Sequence, residues 1–372
     1  MAAIVAGAFA AVGLLAGQFW LMSRLSWTHR ESPAASLIGF NFSCDQAEYL
    51  LLEEPGGQFA DDDRPGRAQW CAGVLAQLLR ETGAPIVRIS VQWDDVEPAE
   101  GRFDFSLTDA LLEAAAREGA TVNLTLGMKA QRHPEFYIPA WALEGTALEP
   151  GSVISDDPLL RRRALAMARA TVAHYAASAA VDSWGAENEP FIASHRSEHY
   201  RLGRDYLAEL VAIIREGDPQ RRPVSINHAQ HFVMDRRWKD ALADSDVLAQ
   251  SMYPRRNWDL FSIDGIVNIM ELGPLMPNYA HQAREAHSRA KEFWVTELQA
   301  EPWTDDDLRL FGPGNPSPNL SPQWMLENVR YARKSGADRI YLWGAEWWLF
   351  QARKGDDRWV TLAREAVGGR GD

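Results

Sequence analysis

The chain has 372 residues, 46% of them hydrophobic and 24% charged, so it is long enough for one large domain or two smaller ones. Its formal net charge of -13 argues against a nucleic-acid partner, because a phosphate backbone is bound through clustered Lys and Arg. Two cysteines, Cys44 and Cys71, exclude a disulfide scaffold and a zinc site of four thiolates, and they leave open either one bridge or two free thiols.

The chain begins with an apolar segment. Residues 1–22 carry no charged side chain, and about 20 apolar residues in a helix cross the hydrocarbon core of a bilayer. We therefore predict an N-terminal hydrophobic helix, either a membrane anchor or a secretory signal, followed by a linker over 23–36. Arg24 and Arg30 follow the segment instead of preceding it, which favours an uncleaved anchor over a signal peptide.

Apolar runs of β character then alternate with helical patterns. Eight runs predict strands, at 38–43, 85–93, 120–127, 181–187, 222–227, 245–253, 292–298 and 339–346. Helical spacing lies between them, at 68–83, 107–119, 158–180, 199–216, 279–291, 322–335 and 358–366. Apolar strands that are each followed by a helix are typical of a parallel sheet covered by helices.

This alternation predicts a single (β/α)8 barrel (TIM barrel) over residues 37–372. A doubly wound open sheet is the alternative. The first strand continues as GFNFSCDQAEYL and lacks the Gly-rich phosphate turn of the nucleotide-binding version of that fold, which favours the barrel.

Polar and aromatic side chains follow the predicted strands, and the active site of such a barrel lies at the C-terminal ends of its strands. Glu189 and Glu297 end the fourth and seventh strands, so they lie roughly opposite each other across the mouth. Cleavage of a glycosidic bond needs two such carboxyls, one to protonate the leaving oxygen and one to attack or stabilise the oxocarbenium-like centre.

Four sequence motifs carry a family resemblance. WGAENEP resembles the Asn-Glu-Pro signature at the fourth strand of the clan A glycoside hydrolases, which are retaining (β/α)8 glycosidases such as cellulases, mannanases and β-galactosidases. VRISVQWDDVEPAEGRFDF, FWVTELQAEPW and YLWGAEWW are similar to the second, seventh and eighth strands of the clan, in the same order. The resemblance implies that the chain cleaves a β-linked glycoside by double displacement.

The resemblance also implies roles for the matched positions. Glu189 would be the acid/base and Glu297 the nucleophile, and Asn188 would hold the sugar 2-hydroxyl. Arg88 would lie beneath Glu297 and keep the pKa of that carboxyl low, while Glu189 stays protonated.

Tyr253 would hydrogen-bond the nucleophile, and Trp343 would form the floor of the sugar-binding subsite. Many clan members carry a histidine two residues before this tyrosine, where this chain has Ser251, so subfamily and substrate class stay open. Further predicted substrate contacts are Lys129, His228, Glu346 and Trp347.

We predict no metal and no cofactor. His228 and His231 lack an acidic third ligand nearby in sequence and make a poor metal site. Two alternatives to a hydrolase stay open, a carbohydrate-binding relative without catalysis and a transglycosylase. A carbohydrate substrate favours a membrane-anchored or secreted, extracytoplasmic setting, although the two arginines after the apolar segment favour the cytoplasmic side.

Overall fold

The computed structural model describes residues 36–53, 59, 63–193, 197–230, 234–260, 263–268, 277–304 and 306–369, together with Gly13 and Gly17. The predicted N-terminal hydrophobic helix and the linker therefore lie outside the described residues, apart from those two glycines and Ser36. Within the described ranges, no helix is both long enough and apolar enough to span a membrane.

Eight parallel strands close into a barrel. The strands of the structure are β1 (Leu37–Phe42), β2 (Ile86–Ser90), β3 (Thr121–Leu126), β4 (Val181–Ala186), β5 (Val224–His228), β6 (Val247–Met252), β7 (Arg255–Leu260), β8 (Ile263–Asn268), β9 (Glu292–Gln299) and β10 (Arg339–Trp343). Strands β1 to β6 pair in sequence, β6 pairs with β9, β9 with β10, and β10 with β1. The predicted (β/α)8 barrel is confirmed, and the open sheet is excluded because the eight-stranded sheet closes on itself.

Strands β7 and β8 form a separate antiparallel hairpin. It follows β6 directly, so it extends from the end of the barrel where a clan A active site is expected. The apolar patterns of the sequence did not predict this pair.

The helices are α1 (Cys44–Leu51), α2 (Arg64–Thr82), α3 (Trp93–Val96), α4 (Ser106–Arg117), α5 (Ala140–Leu143), α6 (Pro158–Tyr175), α7 (Arg204–Gly217), α8 (Trp238–Asp244), α9 (Tyr279–Ser288), α10 (Pro322–Lys334), α11 (Ala345–Arg353) and α12 (Arg358–Val367). All seven predicted helices are present, with shifted ends. The predicted strand over 339–346 is too long, because Gly344 has φ +130° and the chain enters α11 at once.

Helix ends follow from local chemistry. The Asp63 side chain accepts a hydrogen bond from the Gly66 N–H at the start of α2, which satisfies one of the free donors of the first turn. The same helix ends at Gly83, whose φ of +69° is costly for residues with a Cβ. The apolar faces of the helices then pack against the outside of the strands in one large core.

Cys44 and Cys71 form a disulfide with a Cα–Cα distance of 5.5 Å. The bond joins α1, which follows β1 at the barrel mouth, to the middle of α2. Of the two alternatives left by the sequence, the structure has the bridge.

Candidate active site

Glu297 lies at a β-bulge near the C-terminal end of β9. The pairing with β6 steps from Gln250 opposite Val295 to Ser251 opposite Glu297, so one residue of β9 is unpaired. The pairing with β10 shifts in the same place. A bulge re-aims the side chains that follow it, and here it directs a carboxylate into the buried centre of the mouth.

Both carboxylate oxygens of Glu297 have partners. Arg88 Nη1 lies 3.2 Å from Oε1, and the Tyr253 hydroxyl donates to Oε2 over 2.7 Å. The side chain of Glu297 is only 3% exposed. The predicted contacts of Arg88 and Tyr253 with this carboxylate are therefore present.

The predicted low pKa of Glu297 is wrong. Burial raises the pKa of this carboxyl to about 7, and the negative charge of Glu189 raises it further, while Arg88 and Tyr253 act in the opposite direction. Burial also raises the pKa of Tyr253 well above its usual value, with further contributions from Glu297 and Glu189. Desolvation thus outweighs the single guanidinium in setting the pKa of Glu297.

Arg88 connects Glu297 to the fourth strand. Its Nη2 donates to Asn188 Oδ1 over 2.8 Å, its Nη1 also contacts Asn41 Oδ1 at 3.3 Å, and its Nε contacts Thr125 Oγ1 at 3.2 Å. Because the acceptors of these hydrogen bonds, with Glu297, are fixed on three different strands and the loop after β4, the guanidinium has one orientation. It therefore aligns the amide of Asn188 with the carboxylate of Glu297.

Glu189 lies just beyond β4 and is half-buried. Its backbone N–H donates to Asn227 Oδ1 over 2.8 Å, and its carbonyl accepts from Lys129 Nζ over 3.1 Å. Among the described residues, its carboxyl group has no protein hydrogen-bond partner. The negative charge of Glu189 raises the pKa of both Glu297 and Tyr253, so these groups lie near enough to interact electrostatically.

A charged cluster surrounds Trp343. The Arg132 guanidinium lies 4.1 Å from the centre of the indole ring, donates to Glu301 Oε1, and lies 3.1 Å from Glu346 Oε2. The indole N–H also donates to Glu301, over 2.8 Å. One face of the predicted sugar platform is thus covered by a cation that two carboxylates hold.

Four predicted substrate contacts have other partners. The three N–H groups of Lys129 are used by the carbonyls of Glu189 and Ile192 and by Glu135, with Nζ distances of 3.1, 3.2 and 3.2 Å. His228 is fully buried, and its Nε2 lies 3.1 Å from Asp235 Oδ2. Neither side chain has a surface left for a sugar hydroxyl.

Trp347 and Glu346 lie in α11, not on a strand. Trp347 is 1% exposed and packs against Phe350 and Trp359, with ring centres 5.8 and 6.0 Å apart. Glu346 is also buried, and its Oε1 accepts from the Ser43 N–H over 2.7 Å. Both predicted contacts are corrected, since the early end of β10 turns these side chains into the core and the charged cluster.

Other residues of the site were not predicted. Asn227 is the last residue but one of β5, and its Nδ2 contacts Asn188 Oδ1 and Ser251 Oγ, at 3.3 and 3.4 Å, while its Oδ1 accepts from the Glu189 backbone. Trp303 is 41% exposed, and its ring centre lies 4.5 Å from that of Tyr253. Asn227 lies one residue before the predicted His228, so the alternation of side chains along a strand could have indicated that Asn227 faces the site. Trp303 is the last residue of the FWVTELQAEPW motif, which was the signal available for it.

One group of potential metal ligands converges within the described part of the chain. It consists of Cys44, Glu48 and Cys71. Because the two sulfurs are bonded to each other, this group offers no thiolate, and it lies outside the carboxyl pair.

Comparison with known proteins adds a family match. The model of glycoside hydrolase family 42, described as β-galactosidase, matches residues 69–209, a stretch that includes Arg88, Asn188 and Glu189. A β-galactosidase of an Arthrobacter species is 30% identical over 155 residues, or 38% of this chain and 22% of that protein. The β-galactosidase BbgII of Bifidobacterium bifidum is 27% identical over 145 residues, or 36% and 20%. The chain thus matches about a fifth of the length of these curated relatives.

Solved structures share the fold. A β-galactosidase from Halorubrum lacusprofundi has a TM-score of 0.57 at 15% identity, covering 89% of this chain and 57% of that one. A family 5 protein from Streptomyces cattleya, solved with GlcNAc, has a TM-score of 0.53 at 13% identity, covering 83% and 70%. At these identities the likenesses show the fold alone, and they agree with the closed parallel barrel.

Proposed function

We propose that the chain is a retaining β-glycoside hydrolase in which Glu297 is the nucleophile and Glu189 the acid/base. One observation carries the proposal: Glu297 at the end of β9 is near enough to Glu189 after β4 for the charge of Glu189 to raise its pKa, and Arg88 and Tyr253 hold the two oxygens of Glu297. Paired carboxyls with unequal surroundings are the requirement of this chemistry.

The reaction follows from these contacts. A Glu297 oxygen attacks the anomeric carbon while the Glu189 carboxyl gives its proton to the glycosidic oxygen, so the carbon–oxygen bond to the leaving group breaks. Water then attacks the anomeric carbon, Glu189 takes the proton of that water, and the ester bond to Glu297 breaks. Asn188 is oriented by Arg88 and holds the sugar hydroxyl next to the anomeric centre.

The raised pKa of Glu297 fits one proton shared by the pair. With the proton on Glu189, Glu297 loses the negative neighbour that raises its pKa, and Arg88 and Tyr253 then stabilise its ionised form. The state with Glu189 protonated and Glu297 ionised is therefore stabilised by the positive charge of Arg88. Activity requires the singly protonated pair, so the pH profile is bell-shaped.

The substrate that we propose is a β-galactoside, with β-glucans and β-mannans as the other β-linked candidates. The family model and the curated relatives named β-galactosidases support this choice. We also propose an extracytoplasmic setting, which the disulfide supports, because such bonds persist mainly in oxidising compartments.

The nucleophile is tested with Glu297→Ala. This variant should lose hydrolysis of aryl β-galactosides, and added azide should yield a glycosyl azide of the opposite anomeric configuration. Unimpaired hydrolysis by the variant would remove Glu297 from this role.

The acid/base is tested with Glu189→Ala. This variant should retain much more activity on substrates with good leaving groups than on oligosaccharides, because only the latter need a proton donor. Equal losses on both would contradict the assignment. Sugar binding without turnover by the unaltered chain would favour a carbohydrate-binding protein, and transfer to an added sugar acceptor would favour a transglycosylase.

A further inference from the structure

The chain after β4 is held in a costly conformation. Glu187 and Glu189 have φ values of +63° and +46°, on either side of Asn188. Residues with a Cβ rarely adopt this region, and such strain persists only where the surrounding contacts over-determine it. The contacts that fix this segment therefore also fix the position of the proposed acid/base.

One set of contacts runs from β4 to the loop after β3. The Glu187 carboxylate accepts the N–H groups of Met128 and Lys129 over 2.8 and 2.6 Å, and the Tyr206 hydroxyl over 2.6 Å. Gly127 makes room for it, because a Cβ there would lie 2.2 Å from the Glu187 carboxyl carbon. Glu187 thereby fixes the backbone of Lys129.

A second set of contacts returns from the β3 loop to β4. The Lys129 carbonyl accepts the Asn188 N–H over 2.9 Å, and the Lys129 ammonium binds the Glu189 and Ile192 carbonyls. The ammonium is fully buried, and Glu135 balances its charge. Each loop thus fixes the other, and Lys129 takes part in both sets of contacts.

We propose that Lys129 is a positioning residue that acts through Glu189. The inference rests on the proposed function: by holding the carbonyl of Glu189 in its left-handed conformation, Lys129 presents the carboxyl of that residue to the glycosidic oxygen. The role differs from a sugar contact, since the three N–H groups of the ammonium are used by the two backbone carbonyls and by Glu135. The role of Lys129 also differs from a contribution to fold stability alone, because its loss should affect proton donation by Glu189 and leave the contacts of Glu297 unchanged.

Lys129→Met tests the proposal. Displacement of the Glu189 carboxyl should lower kcat/KM on substrates with poor leaving groups on the order of 100-fold. It should lower kcat/KM only a few-fold on dinitrophenyl β-galactoside, whose leaving group needs no acid. The ratio kcat/KM is compared because the later attack of water needs Glu189 as a base on either substrate. Lys291→Met is the matched control, since Lys291 also donates to backbone carbonyls, those of Leu242 and Ser245, at the other end of the barrel. It should change neither rate per folded molecule. Equal losses on both substrates, or no loss on either, would overturn the proposal.

Hydrogen exchange gives a readout that does not require turnover. In Lys129→Met, amides of residues 187–192 should exchange faster, and amides around Glu297 should not. Unchanged exchange at 187–192 would overturn the positioning role of Lys129 even if the proposed function held. Absence of hydrolysis by the unaltered chain would instead overturn the proposed function, and the exchange result would still decide whether Lys129 holds this segment. If Lys129→Met does not fold, Glu187→Gln should show the same selectivity for leaving groups.

Discussion

The ends of β9 and β4 each present one carboxyl to the mouth, but they hold it in different ways. Glu297 is fixed through its side chain, with both oxygens bonded and almost no exposure. Glu189 is fixed through its backbone N–H and carbonyl, and its carboxyl is half-buried. A nucleophile needs one orientation and a nearby positive charge, whereas an acid/base must exchange its proton with leaving group and water. The proposed nucleophile is thus fixed by its side chain, and the proposed acid/base by its backbone.

The largest expected effect follows from removing the cation on the β9 side. Arg88→Met leaves Glu297 buried without its guanidinium, so we expect a loss of about 3–5 kcal/mol in the free energy of unfolding. Activity should fall by a similar factor on good and poor leaving groups, because the attacking group is affected. Denaturant unfolding and kcat/KM on both substrate types measure this.

Arg339→Met is the control for this prediction. Arg339 lies at the opposite end of the barrel, where it pairs with Asp182 at 2.8 Å and stacks on Trp294. Its loss should reduce stability and leave kcat per folded molecule unchanged. If Arg88→Met instead lost activity selectively on poor leaving groups, the assignment of attack to the β9 end and proton donation to the β4 end would be contradicted.

Glu297→Gln should stabilise the protein at high pH. The folded-state pKa of about 7 lies above the ordinary value of 4.5, so the folded state binds more protons between these values. Stability from this group is full below pH 4.5 and is lost as the pH rises through 7, on the order of 3 kcal/mol.

Thermal unfolding at pH 5 and pH 8 measures this difference. The Tm of the unaltered chain should fall over this interval more than that of Glu297→Gln. The Tm of the variant should still decrease somewhat between pH 5 and pH 8, because burial also raises the pKa of Glu187 to about 7. Identical falls in the two proteins would contradict the raised pKa.

Glu189→Gln should shift the pH profile. Its charge is the second cause that raises the pKa of Glu297, so removing it should move the acidic limb of kcat/KM on a dinitrophenyl glycoside to lower pH. A profile with an unchanged acidic limb would show that the two carboxyls do not interact.

The smallest effect is expected at the rim of the site. Trp303→Ala removes an exposed ring beside Tyr253, on which a bound sugar would stack. We expect a rise in KM of roughly tenfold or less, with little change in Tm. Steady-state kinetics measures both constants. If kcat falls by a larger factor than KM rises, Trp303 acts on the nucleophile through Tyr253 and not on sugar binding.

The sequence predicted the barrel and its carboxyl pair because both depend on features that are local in the chain. Apolar runs give strands, and the strand ends of a barrel meet at one mouth, so Glu189 and Glu297 follow from position. The contacts of Arg88 and Tyr253 came from the resemblance and are present in the structure.

The remaining site residues depend on features that a strand-end position does not specify. His228 and Asn227 are neighbours, and the pleat decides which of them meets Glu189. Trp347 was predicted as a strand-end residue, but Gly344 ends β10 early. The pKa of Glu297 depends on burial, which outweighs the one cation that the sequence motif supplies.

The guanidinium over Trp343 has a consequence for ligand design. An inhibitor that gains affinity only by stacking on that indole face must first displace Arg132, which would leave Glu301 and Glu346 as two buried anions without a counter-ion. That electrostatic cost offsets the gain from stacking. Compounds that carry their own positive charge to the indole, by contrast, would replace the arginine and keep the neighbourhood neutralised.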